Sequence, residues 1–136
     1  MATPAPAPPS KPEAVQRLAQ AQHNYRLYQE LKLGGRYPDW TVTVLFYAAM
    51  HLAEAYLAER EPGVFHRIKG HQDRLTAIGL KLPLVYGAYR HLHNQSTVAR
   101  YHPDQPKPTP AEIEHSETEF IRIADELRHR GISVTL

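Results

Sequence analysis

Cysteine is absent from all 136 residues, which excludes disulfides and thiolate metal sites. Strand signals are nearly absent too: few stretches alternate apolar and polar residues between turn formers. No apolar run reaches the roughly 18 residues expected of a membrane span, because the longest candidate, Leu45 to Leu57, is interrupted by His51 and Glu54. The opening residues MATPAPAPPSKPEA lack the charged-then-apolar layout of a secretory signal. These absences lead us to expect a cytoplasmic protein with no membrane partner. Strong charge is missing as well: the formal net charge is +2 and the pI about 8.9, too mild to announce nucleic-acid binding by bulk electrostatics.

What is present is more directed. Eleven of the sixteen basic residues are Arg, and there are nine His. Arg offers forked hydrogen bonds to phosphate or carboxylate, and His titrates near neutral pH. A high-GC genome accounts for the Arg excess equally well.

The chain length suits one domain. Residues 1–10 are Pro- and Ala-rich and read as a disordered tail, followed by a single domain over 11–136. Ser10 with Glu13 three residues later has the form of a capping box, opening a first helix over about 11–33 with Leu18, Ala21, Tyr25 and Tyr28 as its apolar stripe; Gly34 and Gly35 end it. A second helix runs from Pro38 or Asp39 to Arg60, with Asp39 favouring its start. It is apolar nearly all round, as a central bundle helix is. A short helix is expected over 71–78, stopped by Gly79, then a longer one over 82–101. Thr109-Pro110-Ala111-Glu112 is a second capping box, opening a last helix whose stripe is Ile113, Phe120, Ala124 and Leu127. The closing ISVTL is β-prone and has no evident partner. The sum is an all-α, antiparallel bundle of four or five helices.

Two helices carry polar lines on apolar bodies. At 100° per residue, Thr43, Tyr47, His51 and Glu54 fall on one side of the second helix, and Tyr89, His93, Ser96 and Arg100 on one face of the 82–101 helix. Burying such groups unpaired is expensive, so the two lines are expected to meet. The plainer outcome is a buried polar network that fixes helix register. The functional outcome is a pocket between the two helices, with Arg100 as anion binder and His51 or His93 as proton-transfer group. The segment His66 to Arg74 adds a third element: five of its nine residues are basic or imidazole, and a helix opening at Gly70 would point backbone N–H groups at a phosphate.

Residues 37–102 resemble the HEPN superfamily of prokaryotic helical bundles. The matching text is YPDWTVTVLFYAAMHLAEAYLAER, then HQDR at 71–74, then YRHLHNQSTVARYH. The resemblance implies a helical bundle, often a homodimer, that handles RNA or nucleotides. It further implies metal-independent ribonuclease chemistry in toxin–antitoxin or antiphage settings, with an antitoxin or nucleotidyltransferase as companion. The family's usual site is an Arg, four to six residues, then a His. The 82–101 helix lacks it, since Arg90 is followed at the required offsets by Gln95, Ser96 and Thr97; Arg17/His23, Arg60/His66 and Arg122/His129 have the spacing, a few such pairs being expected by chance among eleven Arg and nine His. The residues that match are His51, His71, Arg74, Ser96, Arg100 and Tyr101. We therefore expect His51, His93 and Arg100 as catalytic candidates, Glu54, His71, Arg74, Ser96 and Tyr101 as binding candidates, and no cofactor.

Two other classes compete. Nine His and the Glu112-x-x-His115 spacing invite a metal-binding bundle, but di-iron bundles need two such motifs, and His91 and His93 point about 200° apart on a helix. A non-catalytic dimeric scaffold is the other, with the apolar excess of the second helix and Leu27 and Leu31 of the first supplying an interface.

Overall fold

A computed structural model describes residues 5–136. Helix α1 spans Pro12–Gly34, α2 Pro38–Arg60, α3 Pro62–Phe65, α4 His71–Lys81, α5 Tyr86–Tyr101 and α6 Pro110–His129, with a 3₁₀ turn at Pro83–Val85. Among the described residues there is no strand, and the helices pack as an all-α bundle.

The centre is α2, as its composition requires. Leu45, Phe46, Ala48, Ala49, Leu52 and Leu57 are fully buried, and α1, α3, α5 and α6 all pack on it. By length and composition α2 passes as a membrane span, yet 83% of its most apolar window lies inside this fold. The apolar excess expected to serve a dimer interface is thus taken up by the chain's own core. Helix α1 lies along α2 after the turn at Gly35, whose φ of 68° is left-handed and favours glycine. On its inner face Ala14, Ala21, Tyr25 and Tyr28 are buried. Helix α6 closes the other side with Ile113, Phe120, Ala124 and Leu127, as its stripe predicts.

Capping separates the two boxes. At α6, Glu112 N donates to Thr109 Oγ1 and Thr109 N to the Glu112 carboxylate, both at 3.1 Å. At α1 the expected box does not form. Helix α1 has Lys11 at its N-cap without a side-chain cap; the Ser10 hydroxyl, the Ser10 amide and the Lys11 amide all donate to the Glu59 carboxylate of α2, at 2.9–3.2 Å. Nor does Asp39 cap α2; its carboxylate pairs with Lys107 at 3.3 Å.

Two further expectations are corrected. Gly79 does not stop α4, which continues to Lys81. The stop is Pro83, which disfavours helical backbone at Leu82; Leu82 takes φ −131°, ψ 53° and its side chain is fully buried. The tail expectation covers residues 1–10, of which 1–4 lie outside the described residues. From Ala7 on, the segment is held in place: Ala7 N donates to Gly131 O and Ser133 N to Ala7 O, at 3.1 and 2.8 Å. That parallel bridge gives ISVTL its partner, and Ile132 and Val134 bury against the core.

Candidate functional site

The polar line of α2 meets residues from α1, α4 and α5. Glu54 is the hinge of the arrangement, 4% exposed. Arg74 Nε of α4 donates to its Oε1 at 2.8 Å, and Arg17 Nε of α1 stands 3.1 Å from Oε2. One carboxylate thus neutralises two guanidiniums incompletely, and Oε2 accepts no well-aligned hydrogen bond among the described residues.

Each guanidinium also holds an imidazole. Arg74 Nη1 lies 3.0 Å from His71 Nδ1, and Arg17 Nη1 lies 3.3 Å from His51 Nδ1. A guanidinium has donors only, so both Nδ1 atoms accept, both rings are neutral, and both carry their proton on Nε2. Burial lowers the pKa of His51 and of His71, and Arg17 and Arg74 respectively push in the same direction. His71 of α4 and His93 of α5 then converge, ring centroids 5.0 Å apart, both packed against Phe46 of α2 at 5.8 and 5.2 Å. Burial also lowers the pKa of His93, with Arg100 and Arg74 adding to it. Among the described residues the His93 ring has no hydrogen-bonding partner, and its Nδ1 is buried. Tyr89, packed edge-on against Phe46 at 5.6 Å, has a buried hydroxyl that also lacks a partner.

One step further along α5, Arg100 Nη1 donates to Tyr47 Oη at 2.8 Å and Nε to Ser96 O at 3.2 Å. Its other contact is Ser96 Oγ at 3.4 Å. All three acceptors are neutral, so no carboxylate is hydrogen-bonded to this guanidinium. Its Cζ stands 5.4 Å from the Tyr47 ring centroid and 5.0 Å from that of Tyr101. Arg100, Trp40, Thr43, Tyr101 and Lys107, with the Asp39 carboxylate, line a surface hollow of about 420 Å³, where Trp40 is 56% and Tyr101 67% exposed.

The expected residues therefore form a track rather than one pocket. His51, Glu54, Arg74 and His71 make a partly buried polar cluster around the Glu54 carboxylate; His71 and His93 share Phe46; Arg100, Ser96 and Tyr101 stand at the far end. His51 faces a different hollow, shared with Arg17, Gln20, Phe65 and His66, so His51 and Arg100 do not flank one ligand. Ser96 bonds within its own helix, donating to His93 O at 2.9 Å. At the Gly70 loop, Arg74 turns inward to Glu54 and His71 to Arg74, and the Asp73 carboxylate accepts from the Lys69 amide at 3.0 Å.

Arg17, Trp40 and Lys107 were missed as functional candidates. Arg17 had a readable signal: it lies three residues after Ala14 and four before Ala21, so it sits on the buried stripe of α1. Among the described residues no three His, Asp or Glu side chains are placed to hold a metal ion; Glu112 is fixed in its cap, and His115 packs edge-on against His91 at 4.9 Å. Compared with known proteins, the chain matches no family model, and no curated protein matches it.

Proposed function

We propose that this chain is a HEPN-like nucleic-acid or nucleotide-binding domain whose phosphate anchor is Arg100. The observation that carries the reading is the state of that side chain. Arg17 and Arg74 share the Glu54 carboxylate, whereas Arg100 donates only to neutral oxygens, at a hollow edged by exposed Trp40 and Tyr101. A guanidinium beside exposed aromatic faces suits a phosphate next to a stacked base.

In the ribonuclease version, His93 takes the proton of a ribose 2′-OH as that oxygen attacks the adjacent phosphorus. The bond to the 5′-oxygen breaks, that oxygen takes a proton from solvent water, and Arg100 stabilises the charge on the phosphoryl oxygens. His93 fits this role better than His51 or His71, whose Nδ1 atoms face guanidiniums.

Anisotropy titration with a short single-stranded RNA tests the binding. Arg100→Ala is expected to weaken it about tenfold or more, the loss of one charged hydrogen-bond donor set. Incubation with mixed RNA in chelator tests the chemistry: cleavage by the wild type that His93→Ala abolishes supports the enzyme version. If RNA does not bind even at low salt, the reading fails, and a scaffold role, checked by solution mass, takes its place.

A further inference from the structure

A second hollow adjoins the first. His91, Asn94 and Gln95 of α5, His102, and Lys107 and Pro108 of the following loop line a cavity of about 290 Å³. It shares Ala99 and Lys107 with the Arg100 hollow. The two are therefore neighbouring compartments that meet at Ala99 and Lys107, and the lysine side chain is half exposed and pairs with Asp39 at 3.3 Å.

The lining of the second compartment suits a base. Val98, Pro106 and Pro108 give it apolar lining. Polar groups share that lining. His91 lines the cavity with its ring, while its Nε2 is buried away from solvent. The Gln95 carbonyl accepts from Ser116 Oγ, which leaves its amide N–H groups to donate. Asn94 and His102 are exposed. Two acids border the groove: Glu112, held in the cap of α6, and Asp39, paired with Lys107 and left facing solvent when that lysine turns to a phosphate.

From this continuity we infer that the ligand is an oligonucleotide strand of at least two nucleotides, and not a mononucleotide. One nucleotide lies at Trp40, Arg100 and Tyr101. The strand crosses Lys107, which releases Asp39 for the linking phosphate, and the next base lies over His91, Asn94 and His102. The inference rests on the binding reading above and adds to it the length and path of the ligand.

Calorimetric titrations with adenosine 5′-monophosphate and with the dinucleotide ApA carrying a 5′-phosphate separate the two. Wild type is expected to bind the dinucleotide about tenfold more tightly, the gain of one further seated base. Asn94→Ala/His102→Ala, both exposed and so compatible with folding, is expected to erase that gain and leave the mononucleotide affinity unchanged. Arg100→Ala is expected to weaken both ligands. Equal wild-type affinity for the two ligands, or a gain that survives the double variant, overturns the two-compartment path while the Arg100 reading stands. Binding of neither ligand overturns both.

Discussion

Glu54 holds two guanidiniums on one carboxylate, and the three groups differ in exposure: 5% for its side chain, 11% for Arg74 and 39% for Arg17. Removing a member of a buried pair strands its partner, while an exposed partner relaxes into water. Glu54→Gln is therefore expected to lower unfolding stability by about 3 kcal/mol, Arg74→Met by a similar amount and Arg17→Met by about 1 kcal/mol or less, as read by urea titration. The imidazoles add a pH dependence whose sign follows from their shifts. His51, His71 and His93 all have lowered pKa values in the fold, from burial first and then from Arg17, Arg74 and Arg100. The native state thus binds fewer protons than the unfolded chain once pH drops below about 6.5, the ordinary imidazole value. Their contribution is whole above that pH and is lost as pH falls toward the lowered values. Urea midpoints are expected to decline from pH 7 to 5, and less steeply in His71→Gln. Nitrogen NMR near neutral pH is expected to show both His51 and His71 as the Nε2–H tautomer; a protonated Nδ1 on either ring contradicts the arrangement with Arg17 and Arg74.

At the scale of elements, what was legible in the sequence was whatever depends on neighbours along the chain. The apolar girth of α2 identified a central helix, the Ile113–Leu127 stripe set the inner face of α6, and Thr109 with Glu112 gave the start of α6, since both partners of that box lie within one turn. Thr109→Ala is expected to cost about 1 kcal/mol in thermal or urea unfolding. The same local pattern at Ser10 misled, because Glu59, distant in sequence, competes for the hydroxyl and both nearby amides. Glu59→Ala is accordingly expected to abolish hydrogen-exchange protection at Ser10 and Lys11 without altering α1 from Ala14 onward. The candidate site was legible to the same extent. Wheel geometry put Tyr47, His51 and Glu54 in line and His93, Ser96 and Arg100 in another, but not which partner each would meet. Arg17 reaches Glu54 and His51 from α1, and Arg74 turns inward from what looked like a basic loop. Those are tertiary pairings, set by how helices dock, and spacing along one helix contains no information about them.

For the whole molecule, the distribution of charge decides how binding should respond to salt. The net charge is only +2, and much of the positive charge is answered internally: Arg17 and Arg74 by Glu54, Arg130 by Glu126, Arg128 by Asp125. The proposed groove itself offers few counterions to release. Arg100 and Lys107 are the two cations at the proposed groove, and Lys107 must first leave Asp39. With about two phosphates neutralised on a single strand, the logarithm of affinity is expected to fall against the logarithm of salt with a slope of about −1.4, or roughly sevenfold between about 50 and 200 mM. Lys107→Ala should flatten the slope by about 0.7, whereas Trp40→Ala should weaken binding and leave the slope alone, because stacking releases no counterions. A slope several times steeper would mean that RNA lies on some other, more extended set of cations, and the Arg100 groove would lose its claim to the ligand.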